Sequence, residues 1–160
     1  MKAVSDEQVD ALTSVVCDVL EASAFSFADP CAKDELPEAR GDLFEAEITF
    51  SGEKQQGTIL LAAPAELAAA FSAEMLALDR DEVSDLQAAD ALKELLNVVC
   101  GQWLTAVWGV DPVFRLTVPQ MKALTETEWR SICERPGARA LVVDGIPLAC
   151  ALGLSGRATP

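Results

Sequence analysis

The residues best suited to chemistry lie on one side of a long helix that the sequence predicts for residues 85–108. At about 100° per residue, Asp90, Glu94, Asn97 and Gly101 fall within roughly 60° of one another, opposite an apolar sector. Because Glu94 and Asn97 are one helical turn apart, both polar groups can reach the same partner surface. The amide of Asn97 can both donate and accept hydrogen bonds. The same pattern is also typical of a solvated helix face, so spacing alone does not establish a site.

Two residues of this polar face do not favour helix formation. Asn97 is the only asparagine in the chain, and asparagine inside a helix is less favourable than alanine by about 0.5 kcal/mol. Gly101 costs on the order of a further 1 kcal/mol. Their presence suggests selection for a surface rather than for helix stability. Gly101 leaves room for the close approach of a partner, although a glycine there could equally serve close helix packing.

Composition excludes several classes of site. The 160-residue chain has no histidine, which removes Ser-His and Cys-His catalysis and disfavours zinc sites. Its five cysteines (Cys17, Cys31, Cys100, Cys133 and Cys150) include no Cys-x-x-Cys pair, and we expect reduced thiols. The net charge of −14 disfavours nucleic acid and anionic membranes as partners. Enzymatic chemistry would therefore use carboxylates, amides, lysine or the backbone, with no metal site in this chain.

The sequence carries no signal for export or membrane insertion. Residues 1–7 lack the basic and then apolar pattern of a secretory signal. The apolar stretch at residues 59–78 is interrupted by Pro64, Glu66 and Glu74, so it does not qualify as a membrane span. We therefore expect a cytoplasmic protein with no membrane partner.

The first half of the chain contains the elements expected to support the long helix. Hydrophobic periodicity predicts an amphipathic helix at residues 5–22, and two prolines predict a loop at residues 29–41. Alternation predicts a half-buried strand at residues 44–50, followed by a more buried strand at residues 57–63. Pro64 suits the first position of a helix that continues to about Leu78.

The second half begins with a capping-box pattern at Ser84 and Gln87, where the long helix starts, and Gly109 ends this helix. Three elements are expected after it: a strand at residues 113–118, a short helix capped by Thr125 and Glu128 that runs through Trp129, and a hairpin that joins residues 140–143 to 148–152 across Asp144-Gly145. Pro147 predicts an edge strand or a strand start. Trp103 is predicted to lie in the core, whereas Trp108 and Trp129 could be core residues or interface anchors.

Residues 90–101, Asp-Ala-Leu-Lys-Glu-Leu-Leu-Asn-Val-Val-Cys-Gly, resemble the signature of the CheC/CheX family of chemotaxis phosphatases. That signature is Asp or Ser, three residues, Glu, two residues, Asn, and then a proline about twenty-two residues further on. Twenty-one residues separate Asn97 from Pro119, a small departure from the pattern. Order and spacing agree with the family over residues 43–154.

The resemblance implies an α/β (α+β) fold, a mainly antiparallel sheet with long helices packed on it. It implies one CheX-like domain over residues 1–160, with an N-terminal helix and loop in residues 1–42 and the core in residues 43–154. The sequence has a single Glu-x-x-Asn, which favours the one-site CheX type, typically a homodimer, over the two-site CheC type.

The resemblance also implies a substrate and residue roles. The substrate would be a phosphorylated CheY-like receiver that carries its own Mg²⁺. This protein would therefore need mainly to position water, and it would require no cofactor of its own. Asn97 would orient that water, and Glu94 would pair with a lysine of the receiver. Asp90 and Gly101 would belong to the docking surface, and Pro119 would shape the following loop.

A non-catalytic adaptor that docks a receiver through the same helix is the alternative interpretation. Glu94 and Asn97 favour activity, since a pure adaptor has no evident need for the lone amide.

Overall fold

The computed structural model describes residues 2–155, which form a seven-stranded antiparallel sheet with helices on both faces. Met1 and residues 156–160 of the predicted domain lie outside the described residues. The helices are α1 (Asp6–Ala24), α2 (Ala65–Leu76), α3 (Asp85–Trp108) and α4 (Glu126–Cys133). The strands are β1 (Ala28–Cys31), β2 (Leu43–Gly52), β3 (Gln56–Pro64), β4 (Phe114–Leu116), β5 (Gln120–Leu124), β6 (Ala138–Val143) and β7 (Ile146–Ser155). The predicted α+β class is confirmed.

The strand order across the sheet is β1-β6-β7-β3-β2, and both β4 and β5 pair with the outer side of β2. β5 pairs with residues 43–47 of β2, and β4 pairs with residues 50–52. Together these two short strands form one edge of the sheet, interrupted at residues 117–119. This interruption lies beside the polar face of α3.

Local sequence fixes both ends of α3 as predicted. At its start the Ser84 hydroxyl accepts a 3.1 Å hydrogen bond from the backbone N–H of Gln87, and the Gln87 side chain accepts a 3.0 Å bond from the backbone N–H of Ser84. At its end Gly109 adopts a φ of +80°, a conformation that favours glycine, and its N–H bonds the Thr105 carbonyl. The site helix therefore has defined ends.

One face of α3 is buried against the sheet and against helices α1 and α2. Its buried side chains include Leu92, Leu95, Leu96, Val99 and Trp103. Trp103 packs on Phe50 of β2, and Trp108 stacks on Phe114 of β4. Trp103 is a core residue as predicted, and Trp108 packs against the same core. This packing turns the opposite face of α3 outward.

The other face of the sheet carries a second hydrophobic cluster. Trp129 and Ile132 of α4 pack there on Leu60 and Ala62 of β3, whose neighbours in the strand point to the first face. Trp129 is thus a core residue, which resolves the two interpretations of its role. α4 runs through Trp129 as predicted and ends at Cys133, just before Arg135-Pro136-Gly137.

The structure revises the sequence expectations for the loop at residues 29–41, for the strand at residues 113–118 and for Pro147. The predicted loop at residues 29–41 includes most of β1 and a turn of 3-10 helix at Lys33–Glu35. The predicted strand at residues 113–118 ends at Leu116, and β5 follows after Pro119. Pro147 is a strand start but not part of an edge strand, since β7 lies between β6 and β3. Pro147 is accommodated because the pairing of β7 with β3 begins only at Ala149.

No helix in the described part of the chain combines the length and the apolar character needed to cross a bilayer.

Candidate functional site

An open depression of about 520 Å³ lies between the outer face of α3 and the segment that joins β4 to β5. Its lining residues are Asp90, Lys93, Glu94, Asn97, Leu116, Thr117, Val118 and Pro119. The fold therefore brings Asp90, Glu94, Asn97 and Pro119 together, although Pro119 is remote from the others in sequence. Gly101 is the one predicted site residue that does not line the depression.

Glu94 and Asn97 are exposed and project from the middle of α3. Among residues 2–155, neither side chain has a hydrogen-bond or ion-pair partner. The packed face of the helix fixes the positions of their backbone atoms, while their polar groups remain available to a second molecule. The outward orientation that the helical spacing predicts is observed.

Asp90 differs from its two neighbours because its carboxylate lies 3.5 Å from the ammonium group of Lys93. Both groups are substantially exposed, so this pair contributes little to stability. Its effect is to place one positive charge beside the carboxylate of Asp90. Lys93 was absent from the predicted site, although its spacing of three residues from Asp90 on a helix is a recognisable signal.

Gly101 is exposed one turn beyond Asn97, and a Cβ atom added there would meet nothing within 4 Å. Close helix packing, the second interpretation offered by the sequence, is therefore wrong within the described residues. The glycine instead leaves open space on the surface of α3 next to the depression.

Thr117 holds the second wall of the depression in place. Its backbone N–H donates a 2.9 Å hydrogen bond to the Thr49 carbonyl, and its hydroxyl accepts a 2.9 Å bond from the Thr49 N–H. Half-buried Pro119 follows and precedes β5. Leu116, Thr117 and Val118 were not predicted as site residues. The wall that they form exists only because this segment pairs with β2, and Thr49 lies 68 residues from Thr117.

The possible metal ligands among residues 2–155 do not form a metal site. No three acidic or cysteine side chains in that range are grouped so as to hold a metal ion. All five cysteines are free thiols. Burial raises the pKa of both Cys100 and Cys150 to about 12, which keeps these thiols protonated and unreactive at neutral pH.

The shape of the depression limits what it can bind. Small-molecule sites are usually enclosed and mostly apolar, whereas this one is open and presents a free amide, a free carboxylate and the Asp90–Lys93 pair. Such a surface suits a protuberance or loop of another protein. A single amide there can accept a hydrogen bond from water and donate one to an anion.

The fold is shared with solved chemotaxis proteins. Chemotaxis protein CheX from Vibrio vulnificus has a TM-score of 0.70 and 20% identity, covering 96% of this chain and 100% of that one. A CheX from Desulfovibrio desulfuricans has a TM-score of 0.67 and 17% identity, covering 93% and 99%. The CheX-CheY-BeF3-Mg²⁺ complex from Borrelia burgdorferi matches with a TM-score of 0.61 and 16% identity, covering 92% and 97%.

The family follows from sequence. The sequence model of the family described as chemotaxis phosphatase CheX matches residues 44–138, more than half of the chain. This chain belongs to the CheX family. No curated protein matches the sequence closely enough to be counted as a relative.

Proposed function

We propose that this protein is a phosphatase that accelerates loss of the aspartyl phosphate from a CheY-like response regulator in chemotaxis or two-component signalling. The observation that carries the proposal is the exposed pair Glu94 and Asn97, which has no partner among residues 2–155 and lies in an open depression of a CheX-family fold. The Borrelia burgdorferi relative was solved as a complex with CheY, BeF3 and Mg²⁺. That relative supports a receiver as the partner of this chain.

In this proposal Asn97 enters the phosphorylated pocket of the receiver. Its carboxamide oxygen accepts a hydrogen bond from the attacking water, and the amide adds no negative charge beside the phosphoryl group. The receiver supplies its own Mg²⁺, so positioning of water for in-line attack is the main contribution required. An aspartate at the same position would be repelled by the phosphoryl oxygens.

Glu94 acts as the docking partner of a lysine near the phosphate of the receiver, through a charge-assisted hydrogen bond. Its carboxylate has no competing partner among the described residues, so it is available for this pair. Asp90 and Gly101 contribute to the docking surface on either side, and Pro119 shapes the opposite wall. The protein acts in the cytoplasm as a homodimer and uses no cofactor of its own.

The test is a turnover assay. A receiver is phosphorylated, this protein is added in catalytic amount, and phosphate release is followed for wild type, Asn97→Ala and Asn97→Asp. Gln102→Ala is the matched control, because Gln102 is an exposed amide on α3 that does not line the depression. We expect multiple turnovers for wild type and Gln102→Ala, and none above background for either Asn97 variant.

Two results would contradict the proposal. Binding of the phosphorylated receiver without acceleration of phosphate loss would instead identify the chain as an adaptor. Equal turnover by wild type and Asn97→Ala would remove Asn97 from the mechanism.

A further inference from the structure

The edge of the sheet beside the site contains one residue more than the segment of β2 that it faces. Glu47 of β2 is opposite Gln120, and Phe50 is opposite Leu116. Two residues of β2 therefore face three residues of the edge, Thr117, Val118 and Pro119. This count defines a β-bulge, a feature that re-aims side chains and is common beside active sites.

The hydroxyl of Thr117 replaces a backbone group in this bulge. In a regular ladder the N–H of Thr49 would donate to a carbonyl of the neighbouring strand. Here it donates to Thr117 Oγ1 at 2.9 Å, while the Thr117 N–H donates to the Thr49 carbonyl at 2.9 Å. Thr117 therefore forms two hydrogen bonds with Thr49, one through its backbone N–H and one through its hydroxyl. These bonds fix the point at which the bulge departs from β2.

The bulge forms the wall that faces Glu94 and Asn97. Leu116, Thr117, Val118 and Pro119 line the depression opposite the polar face of α3. Val118, at the tip of the bulge, is 74% exposed. A partner loop that enters this depression to reach Asn97 therefore lies beside Val118 as well.

We propose that Thr117 is a positioning residue: its hydroxyl sets the distance between the bulge and α3, and so determines how well the phosphorylated loop of a receiver fits against Asn97. Val118 supplies the apolar contact on that side of the receiver. This inference rests on the proposed function. It assigns the docking geometry to the bulge and leaves the chemistry to Asn97.

The experiment compares Thr117→Val, Thr117→Ser and Thr127→Val. Valine keeps the shape of threonine but removes the hydroxyl, whereas serine retains it. Thr127 is an exposed threonine of α4 outside this depression and serves as the matched control. Each variant is assayed for the Kd of a receiver loaded with beryllofluoride and Mg²⁺, and for kcat and KM with the phosphorylated receiver. Urea unfolding monitors the fold.

We expect Thr117→Val to raise both Kd and KM by about three- to ten-fold, the range for loss of one positioning hydrogen bond, with a smaller change in kcat. Thr117→Ser and Thr127→Val should resemble wild type. Val118→Ser changes the tip of the bulge without removing the hydrogen bonds between Thr117 and Thr49. This variant should raise the Kd for the receiver while the protein remains fully folded.

Several outcomes would overturn the inference. Unchanged Kd and KM in Thr117→Val would do so, as would equal losses in the valine and serine variants or an effect on kcat alone. If wild type turns over in an Asn97-dependent way and these results are found, the proposed function stands and only the role of Thr117 is lost. If wild type neither binds nor dephosphorylates any receiver, both proposals fall.

Discussion

Trp103 Nε1 donates a 2.9 Å hydrogen bond to the carbonyl oxygen of Gln8, which joins the buried face of α3 to the first turn of α1. Trp103 is fully buried and also packs on Phe50 of β2. The bond lies on the side of α3 opposite Glu94 and Asn97. It therefore helps to set the rotation of the helix that points this pair outward.

Trp103→Phe should lower the free energy of unfolding by about 2 kcal/mol, because the donor is lost and a small cavity remains. The measurement is urea unfolding at constant temperature. Trp108→Phe is the matched control, since Trp108 is only half-buried and its indole has no hydrogen-bond partner among residues 2–155. Equal losses in the two variants would contradict a role for the Gln8 bond.

Gly101→Ala should raise the free energy of unfolding by about 1 kcal/mol, because alanine favours the helix and the added Cβ meets no other atom. The same variant should weaken receiver binding if the open surface serves close approach. Thermal unfolding and titration with a receiver measure the two effects separately.

Gly57→Ala provides the contrast to Gly101→Ala. A Cβ at Gly57 would lie against the backbone carbonyl of Gly153 in the neighbouring strand, so this variant should be clearly destabilised. Destabilisation by Gly101→Ala would show that the glycine has a structural role that the open space around it does not reveal.

The elements that were predicted correctly are those specified by local residues. The capping box at Ser84 and Gln87 defined the start of α3, and Gly109 defined its end. Asp144-Gly145 joins β6 to β7, as the turn pattern predicted. In each case the residues that form the structure are within a few positions of one another.

The elements that were missed depend on distant partners. β1 is four residues long and contains Pro30, and it exists because it pairs with β6 more than a hundred residues later. β5 lacks β-branched residues, and it is a strand because β2 is next to it. The wall at Thr117 has the same origin. The polar face of α3 could thus be predicted from helical periodicity, whereas the depression that it lines could not.

Glu128 gives the stability of α4 a pH dependence. Its carboxylate accepts a 3.0 Å hydrogen bond from the backbone N–H of Thr125 and lies 2.9 Å from the ammonium group of Lys122. These contacts lower the pKa of Glu128 from 4.5 to about 2. Because the folded pKa is depressed, the stabilisation is present above pH 4.5 and is lost as the pH falls from 4.5 towards 2.

Glu128→Gln should therefore have a lower Tm than wild type near neutral pH, and the difference should shrink to nothing as the pH approaches the folded pKa. Thermal unfolding across this pH range is the measurement. Glu21→Gln removes the same charge from an exposed glutamate of α1 with no partner among the described residues. A Tm difference for Glu128→Gln that does not vary with pH would contradict the assignment.

The proposed homodimer has a testable location at the β1 edge of the sheet. β1 is the terminal strand in the sheet order, and Phe25 and Phe27 beside it are each 69% exposed. An open strand edge with adjacent apolar side chains favours pairing with a second copy. We expect light scattering to give a dimer at micromolar concentration.

Phe27→Asp should convert that dimer to a monomer, because the pairing would bury an unpaired charge. Val110→Asp is the control, since Val110 is 82% exposed just after α3, on a loop remote from β1 in sequence. A monomeric wild type would contradict the dimer, and a dimeric Phe27→Asp would place the interface elsewhere.

Glu94→Lys separates a local contact from long-range attraction between charged proteins. The carboxylate of Glu94 is proposed to pair with a lysine of the receiver, so a lysine in its place turns attraction into repulsion at short range. We expect the Kd for a beryllofluoride-loaded receiver to rise at least about ten-fold, with kcat at saturating receiver much less affected.

Glu74→Lys is the matched control, because Glu74 is exposed on α2 and has no partner among residues 2–155. Both variants raise the net charge of −14 by two units, so general electrostatic attraction changes equally. Equal Kd values for the two variants would show that Glu94 contributes only to the overall charge and does not meet the lysine of the receiver.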